Sequence, residues 1–202
     1  MTEDNQTNII VSIITGLFVV FASLKTTLVG GLIKGFKKIK SKKETSKFLT
    51  SLRKMYEIYE TVDSIGYETG ADRVILFSGH NCGGVPEIYK PYNVSGLYSV
   101  GVPREIFESY KELDVDPFYV ETLLKASEGK PCHIEVDKMP DCQLKTYYSL
   151  EGVVESYIFY IDVVQNNLIY MRVASKQKGR ITKNDQTFSA LKVNKIKNLL
   201  NG

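Results

Sequence analysis

Cysteine and histidine are scarce in this chain of 202 residues: there are three cysteines, Cys82, Cys132 and Cys142, and two histidines, His80 and His133. No CxxC pair occurs, so no paired-cysteine motif is written into the sequence, and the cytosolic location expected below argues against disulfides. His80, Cys82, Cys132, His133 and Cys142 would hold zinc only if the end of the first strand met the third. The tight His-x-Cys and Cys-His spacings work against that, and buried cysteines with loop histidines are the plainer reading. Hydrolase and nucleotide signatures are missing too. "FSGHN" is not a G-x-S-x-G elbow, and "CGGVP" lacks the lysine and following helix of a phosphate loop. No lysine or arginine precedes residue 25, so the basic n-region of a signal peptide is absent, as is a small-x-small cleavage site.

What the sequence does have is an apolar head. From Ile9 to Leu24 a run of 16 residues carries no charge, slightly short of the roughly 20 that cross a bilayer. If Lys25 snorkels to the headgroups, Thr26 to Val29 extend the helix and a single span results. Ile9, Ile13, Leu17, Val20, Leu24 and Lys25 would be its anchor residues. An interfacial helix is the rival, but Ser12, Thr15 and Gly16 make only a thin polar face. Residues 1–47 hold 8 lysines and 3 acids, net +5, whereas the remainder holds 18 basic and 20 acidic residues, net −2. Positive-inside then places the N-terminus outside and the rest in the cytoplasm, behind the inner membrane. The lysines suit anionic lipid. Without arginine or interleaved aromatics they do not read as a nucleic-acid site. The expected organisation is an anchor at 1–33, a basic linker at 34–47 and one domain at 48–202.

Within that domain, Phe48, Leu52, Met55, Tyr59 and Val62 alternate four and three apart, which predicts a helix with one apolar seam, a natural dimer surface. Arg73 to Ser78 reads as a strand, and Ile88 to Val102 as extended edge structure. Short helices follow near Ile106 to Tyr110 and Phe118 to Ala126, and a strand runs through His133, Glu135 and Val136. The segment Tyr147 to Leu150 has no clear period. "VVESYIFYIDVV" and "LIYMRVAS", joined by Gln165-Asn166-Asn167, read as a hairpin. The last segment predicts a helix with Phe188, Leu191, Ile196, Leu199 and Leu200 on one stripe. This order is an α+β domain with an antiparallel sheet.

A leading helix before "GADRVILF", the segment "LLKASEGKPCHIEVDKMPD", and the closing hairpin and helix of "LEGVVESYIFYIDVVQNNLIYMRVASKQKGRITKNDQTFSALKVNKIKNLL" together resemble a GAF domain over roughly residues 48–200. The resemblance implies a central antiparallel sheet with the leading and closing helices on one face and a pocket on the other. It also implies small-molecule sensing or dimerisation. The cyclic-nucleotide signature of the family is missing, since Asn194-Lys195 falls on the last helix. Bilin or haem attachment would need a placed Cys or His, for which Cys132-His133 is the candidate. Some GAF-like enzymes reduce free methionine sulfoxide with three cysteines, although Cys82 lies too early for their spacing.

Glu112, Asp114, Asp116 and Glu121 form an acidic loop, conceivable as a hard-cation site but more simply a solvated surface. Tyrosines offer aromatic walls with hydroxyl handles, so Tyr98, Tyr110, Tyr147 and Tyr157, with Cys132 and His133, are the candidate ligand residues. No catalytic or metal site is assigned, and no cofactor is named. The sequence thus predicts a membrane-tethered, cytoplasmic GAF-like sensory or protein-interaction module, non-enzymatic and homo-oligomeric. The alternatives are a thiol reductase using Cys82, Cys132 and Cys142, or a small phage or bacterial membrane-active protein regulated by its GAF-like domain.

Overall fold

Alternation of β-branched and aromatic residues decides most of the architecture. The structure is a computed structural model that describes residues 44–81, 84–87 and 90–202. The apolar head with Lys25, the linker as far as residue 43, and Cys82 therefore lie outside the described residues. The chain divides into two compact units, Met1–Arg53 and Lys54–Gly202. In the first, residues 44–53 are helical. No helix among the described residues is long and apolar enough to cross a membrane.

The second unit opens with helix α1, residues 54–68, which buries Ile58, Val62 and Ile65 at the four-and-three spacing of one helical face. Strand β1, Arg73–His80, follows; its Val74, Ile75, Leu76 and Phe77 are all buried, as expected of a strand covered on both faces. Then come β2, Asn93–Val100, the short helix α2, Arg104–Glu108, and β3, Leu113–Asp114. Helix α3, Pro117–Ser127, leads to β4, Cys132–Glu135, and a 3-10 turn at Val136–Lys138. Helix α4, Gln143–Glu151, is a regular element where the sequence shows no period. The hairpin strands β5, Glu155–Val164, and β6, Asn167–Ser175, precede the closing helix α5, Lys183–Asn201.

The six strands form one sheet in the order β3-β2-β1-β6-β5-β4, with every neighbouring pair antiparallel. Strand β2 is not quite the edge the sequence predicts, because Asn93 and Val94 pair with Asp114 and Leu113 of β3. The β5–β6 connection is shorter than the three residues expected. Gln165 and Asn166, with φ of 50° and 64°, make the turn, and Asn167 already pairs with Val164. Two left-handed residues in succession match the twist of the flanking strands.

Helices α1 and α5 cover one face of the sheet, where Val62, Ile65, Val193 and Ile196 pack with Val74, Leu76, Phe159, Met171 and Val173. Helix α5 starts at a capping box, Thr182 and Asp185 bonding each other's backbone N–H. Its buried face runs through Ser189, Val193 and Ile196. Leu191, predicted on that stripe, is exposed instead, being two residues from both Ser189 and Val193 and so on the far side of the helix. The opposite face of the sheet packs Ile75, Phe77, Ile158, Tyr170 and Ala174 beneath α3, α4 and the α2 region.

Candidate functional site

Period-two alternation along β6 sends Tyr170, Arg172 and Ala174 to the face under α3 and α4, and sends Ile169, Met171 and Val173 to the helical-pair face. A charge in the middle of "LIYMRVAS" is thereby carried into the core. Arg172 is only 1% exposed, and its partner Glu151 at 3%, with Arg73 at 4% on the same carboxylate, is equally removed from water.

Glu151 is the last residue of α4, which Gly152 stops by taking φ 68°. Its carboxylate accepts from Arg172 Nη2 at 2.8 and 2.9 Å and from Arg73 Nη1 at 2.7 Å. A carboxylate beside the negative end of a helix is unfavourable alone, and the two guanidinium groups answer both the side chain and the helix terminus. Arg172 Nη2 also donates to the Tyr110 hydroxyl at 3.0 Å. The guanidinium carbon lies 5.5, 5.1 and 5.0 Å from the ring centres of Phe77, Tyr110 and Tyr148, so the cation sits among aromatic faces. Burial is the largest single influence and works against the Arg172 charge, but Glu151 together with the phenols of Tyr148 and Tyr119 raises the pKa overall. Nε and Nη1 of Arg172, and Nε of Arg73, have no hydrogen-bond partner among the described residues. An unpaired buried donor typically costs about 1–3 kcal/mol.

Tyrosines complete the chamber. Tyr170 stacks on Phe77 with centres 5.1 Å apart, and its hydroxyl shares a 2.5 Å hydrogen bond with that of Tyr119 from α3. Tyr148 of α4 donates to Ser156 Oγ at 3.1 Å. Burial pushes the phenols of Tyr119, Tyr148 and Tyr170 upward, so all three are neutral hydroxyls at physiological pH. Gly96 of β2 makes room for this packing, since a Cβ there would stand 2.7 Å from the Phe107 ring.

The six residues singled out from the sequence do not converge. Tyr110 and Tyr147 meet in the chamber, their centres 6.0 Å apart. Tyr98 and Tyr157 lie on the opposite face of the sheet, with α1 and α5. There Tyr98 stacks on Tyr59 and donates to Asp63 at 2.9 Å. His133 stacks on Tyr157 and pairs with Glu155 Oε1 at 2.9 Å. Glu155 also accepts from the Tyr157 hydroxyl at 2.9 Å and from Gly179 N at 2.6 Å. Cys132 is half-buried, with its thiol pushed up by burial against the lowering effect of Lys125, the reverse of an activated thiolate. Cys142 stands at the start of α4. Asp116 of the acidic loop caps α3 through Tyr119 N at 2.8 Å and holds the start of α4 through Gln143 N at 2.9 Å, a structural use of that carboxylate. Sequence reasoning missed Arg73, Arg172, Glu151, Tyr119, Tyr148 and Tyr170; the arginine inside an apolar strand was the available signal.

No family model matches this sequence, and no curated protein does. Solved structures match by shape. The chain is similar to the GAF domain/HD domain protein from Geobacter sulfurreducens, at TM-score 0.55 and 8% identity over 72% of this chain and 90% of that one. It is also similar to the GAF domain of a two-component sensor histidine kinase from Bacillus halodurans, at TM-score 0.50 and 9% identity over 72% and 91%. A phycocyanobilin-bound GAF domain from a cyanobacterial phytochrome matches at TM-score 0.51 and 15% identity over 76% and 87%. The fold is GAF-like, as the resemblance in the sequence implied.

Proposed function

We propose that this GAF-like chain is a membrane-tethered, non-enzymatic sensory or protein-interaction module, with the domain on the cytoplasmic side. One observation carries the sensory part: β6 presents Tyr170 and Arg172 to the buried aromatic chamber and Met171 and Val173, the intervening residues, to α1 and α5. A rearrangement around Arg172 therefore has one strand's thickness to cross before it reaches α5 and α1, the helix through which the chain enters this domain. Packed interiors pass on such shifts because they do not deform continuously. The charge-free run Ile9–Leu24 and the lysines behind it support the tether, with anionic lipid as the partner of those lysines.

The test is hydrogen exchange on the full chain in anionic vesicles, comparing the parent with Tyr148→Phe, which deletes one hydroxyl in the chamber. The sensory reading expects altered protection in residues 54–68 and in α5. Unchanged exchange in both helices would sink it. Tethering is read in the same preparation, since a chain lacking residues 1–43 should leave the vesicle fraction.

A further inference from the structure

We propose that the notch between β5, α5 and the turn after α3 binds a medium-chain fatty acid, with its carboxylate at Lys130 and Lys197 and its acyl chain against the sheet. The floor of the notch is on the sheet face opposite the Arg172 chamber, and the site does not depend on that chamber. Unequal neighbouring strands open it. Strand β5 has 10 residues and β4 has 4. Cys132, the first residue of β4, pairs with Ile158, so from Phe159 onward β5 has no strand beside it on that edge. The turn after α3 prevents an earlier start, because Gly129 takes φ 90° and Pro131 has no N–H to give a ladder. The cleft left there has a volume of about 310 Å³, at the small end for ligand pockets.

Its floor is apolar. Phe159 and Ile161 point toward α5 by alternation, Ala190 and Val193 answer them from that helix, and Ala126 and Pro131 close the side. The polar lining comes from exposed or half-exposed residues, among them Lys130, Asn194 and Lys197, and no acid lines the cleft among the described residues. The Lys130 ammonium has no partner among the described residues. Lys197 stands 3.7 Å from Asp162, whose oxygens already accept from Val163 N at 2.8 Å and from Asn201 at 2.6 Å. It can therefore turn to a guest without leaving that acid bare. One unpaired cation and one loosely held cation above an apolar floor call for an anionic head on an apolar body. An inorganic anion would leave the floor uncovered, a neutral hydrocarbon would leave the lysines unanswered, and a sterol-sized body exceeds the volume.

The experiment is hydrogen exchange on the full chain in phosphatidylcholine vesicles, titrated with butyrate, hexanoate, octanoate and dodecanoate at measured free concentration. Octanoate should slow exchange in residues 159–161 and 190–197, and the effect should saturate. Each two carbons between butyrate and octanoate should lower the half-saturation concentration roughly tenfold, and dodecanoate should gain little more because the cleft is then full. Replacing Lys130 and Lys197 together by Gln changes only side chains at the surface and should raise the octanoate half-saturation at least tenfold. Ala190→Met fills the floor, keeps both lysines and should abolish the response; if that variant does not fold, the glutamine pair decides. Unchanged exchange in both segments, a full response in Ala190→Met, or affinity that keeps climbing through dodecanoate overturns the proposal. So does protection produced by phosphatidylglycerol vesicles without any added acid, which would assign the cleft to a bilayer lipid. Octanoate binding stands whether or not Tyr148→Phe alters α1 and α5, so the two tests fail separately.

Discussion

Tyr98 shows how a single proton ties two elements together. Burial, and then the hydrogen bond to Asp63, push its phenol from 10.0 up to about 12. A folded pKa above the unfolded one means that the contribution is fully present below pH 10 and is lost as pH climbs toward 12. Tyr98→Phe should therefore be less stable than the parent at pH 8, with the gap between their urea midpoints closing by pH 11.5. A gap that stays constant would show that Tyr98 acts through ring packing on Tyr59 alone. Tyr157, also raised to about 12 by burial and Glu155, leaves part of the alkaline limb in both proteins. Glu135 works in the opposite sense. Hydrogen bonds from Lys138 and Lys178 hold its carboxyl down to about 2 from 4.5. Its contribution is present above pH 4.5 and disappears as pH falls toward 2. Glu135→Gln should flatten that limb of the acid unfolding curve, while Asp72 and Asp162, also lowered, keep some of it.

Between elements, the contact of α1 with β2 is close enough to be tested by one methyl group. A Cβ at Gly66 would stand 2.6 Å from Val100 Cγ1. Overpacking of this kind costs about 1–3 kcal/mol, against about 1 kcal/mol gained by removing a glycine from a helix. Gly66→Ala should then lower stability in denaturant titration, and Val100→Ala in that background should recover part of the loss. If Gly66→Ala is stabilising, the two elements are less tightly joined than the structure shows. The same pair marks where sequence reasoning reaches its limit. Helix and strand were each legible, as were α3, α5 and the β5–β6 hairpin, the helices from apolar spacing and the strands from runs of β-branched and aromatic residues. Helix α4 was not, because only Leu144, Tyr148 and Glu151 of its residues are buried and one of them is charged. The chamber was illegible for a related reason. Arg172, Arg73 and Glu151 come from three elements far apart in sequence, and local spacing carries no record of which charge will face which. Among the tyrosines, Tyr98 and Tyr157 lie on two different strands and Tyr110 on the turn after α2, so no single alternation relates them, and only the strand order says which face holds the buried arginine.

At the scale of the whole molecule, whether copies meet through the predicted seam turns on which of its residues the domain already uses. Val62 is fully buried with the sheet, and Tyr59 stacks on Tyr98, so these two serve the domain's own core. Phe48, Leu52 and Met55 are exposed, as are Leu49 and Tyr56 beside them. That leaves an apolar stripe of about two to three turns, too short to hold a helix pair together in water without help. Two chains tethered in one bilayer would face each other at an effective concentration in the millimolar range. A contact worth only about 4 kcal/mol is half-occupied there. The full chain in vesicles should therefore cross-link as a dimer, whereas the chain lacking residues 1–43 should sediment as a monomer at micromolar concentration. Replacing Leu52 and Met55 together by Glu places charge on side chains already exposed, so the variant should melt within a few degrees of the parent yet lose the cross-link. A variant that keeps the cross-link assigns the contact to another surface, and one that unfolds shows that Leu52 and Met55 support the domain rather than a partner.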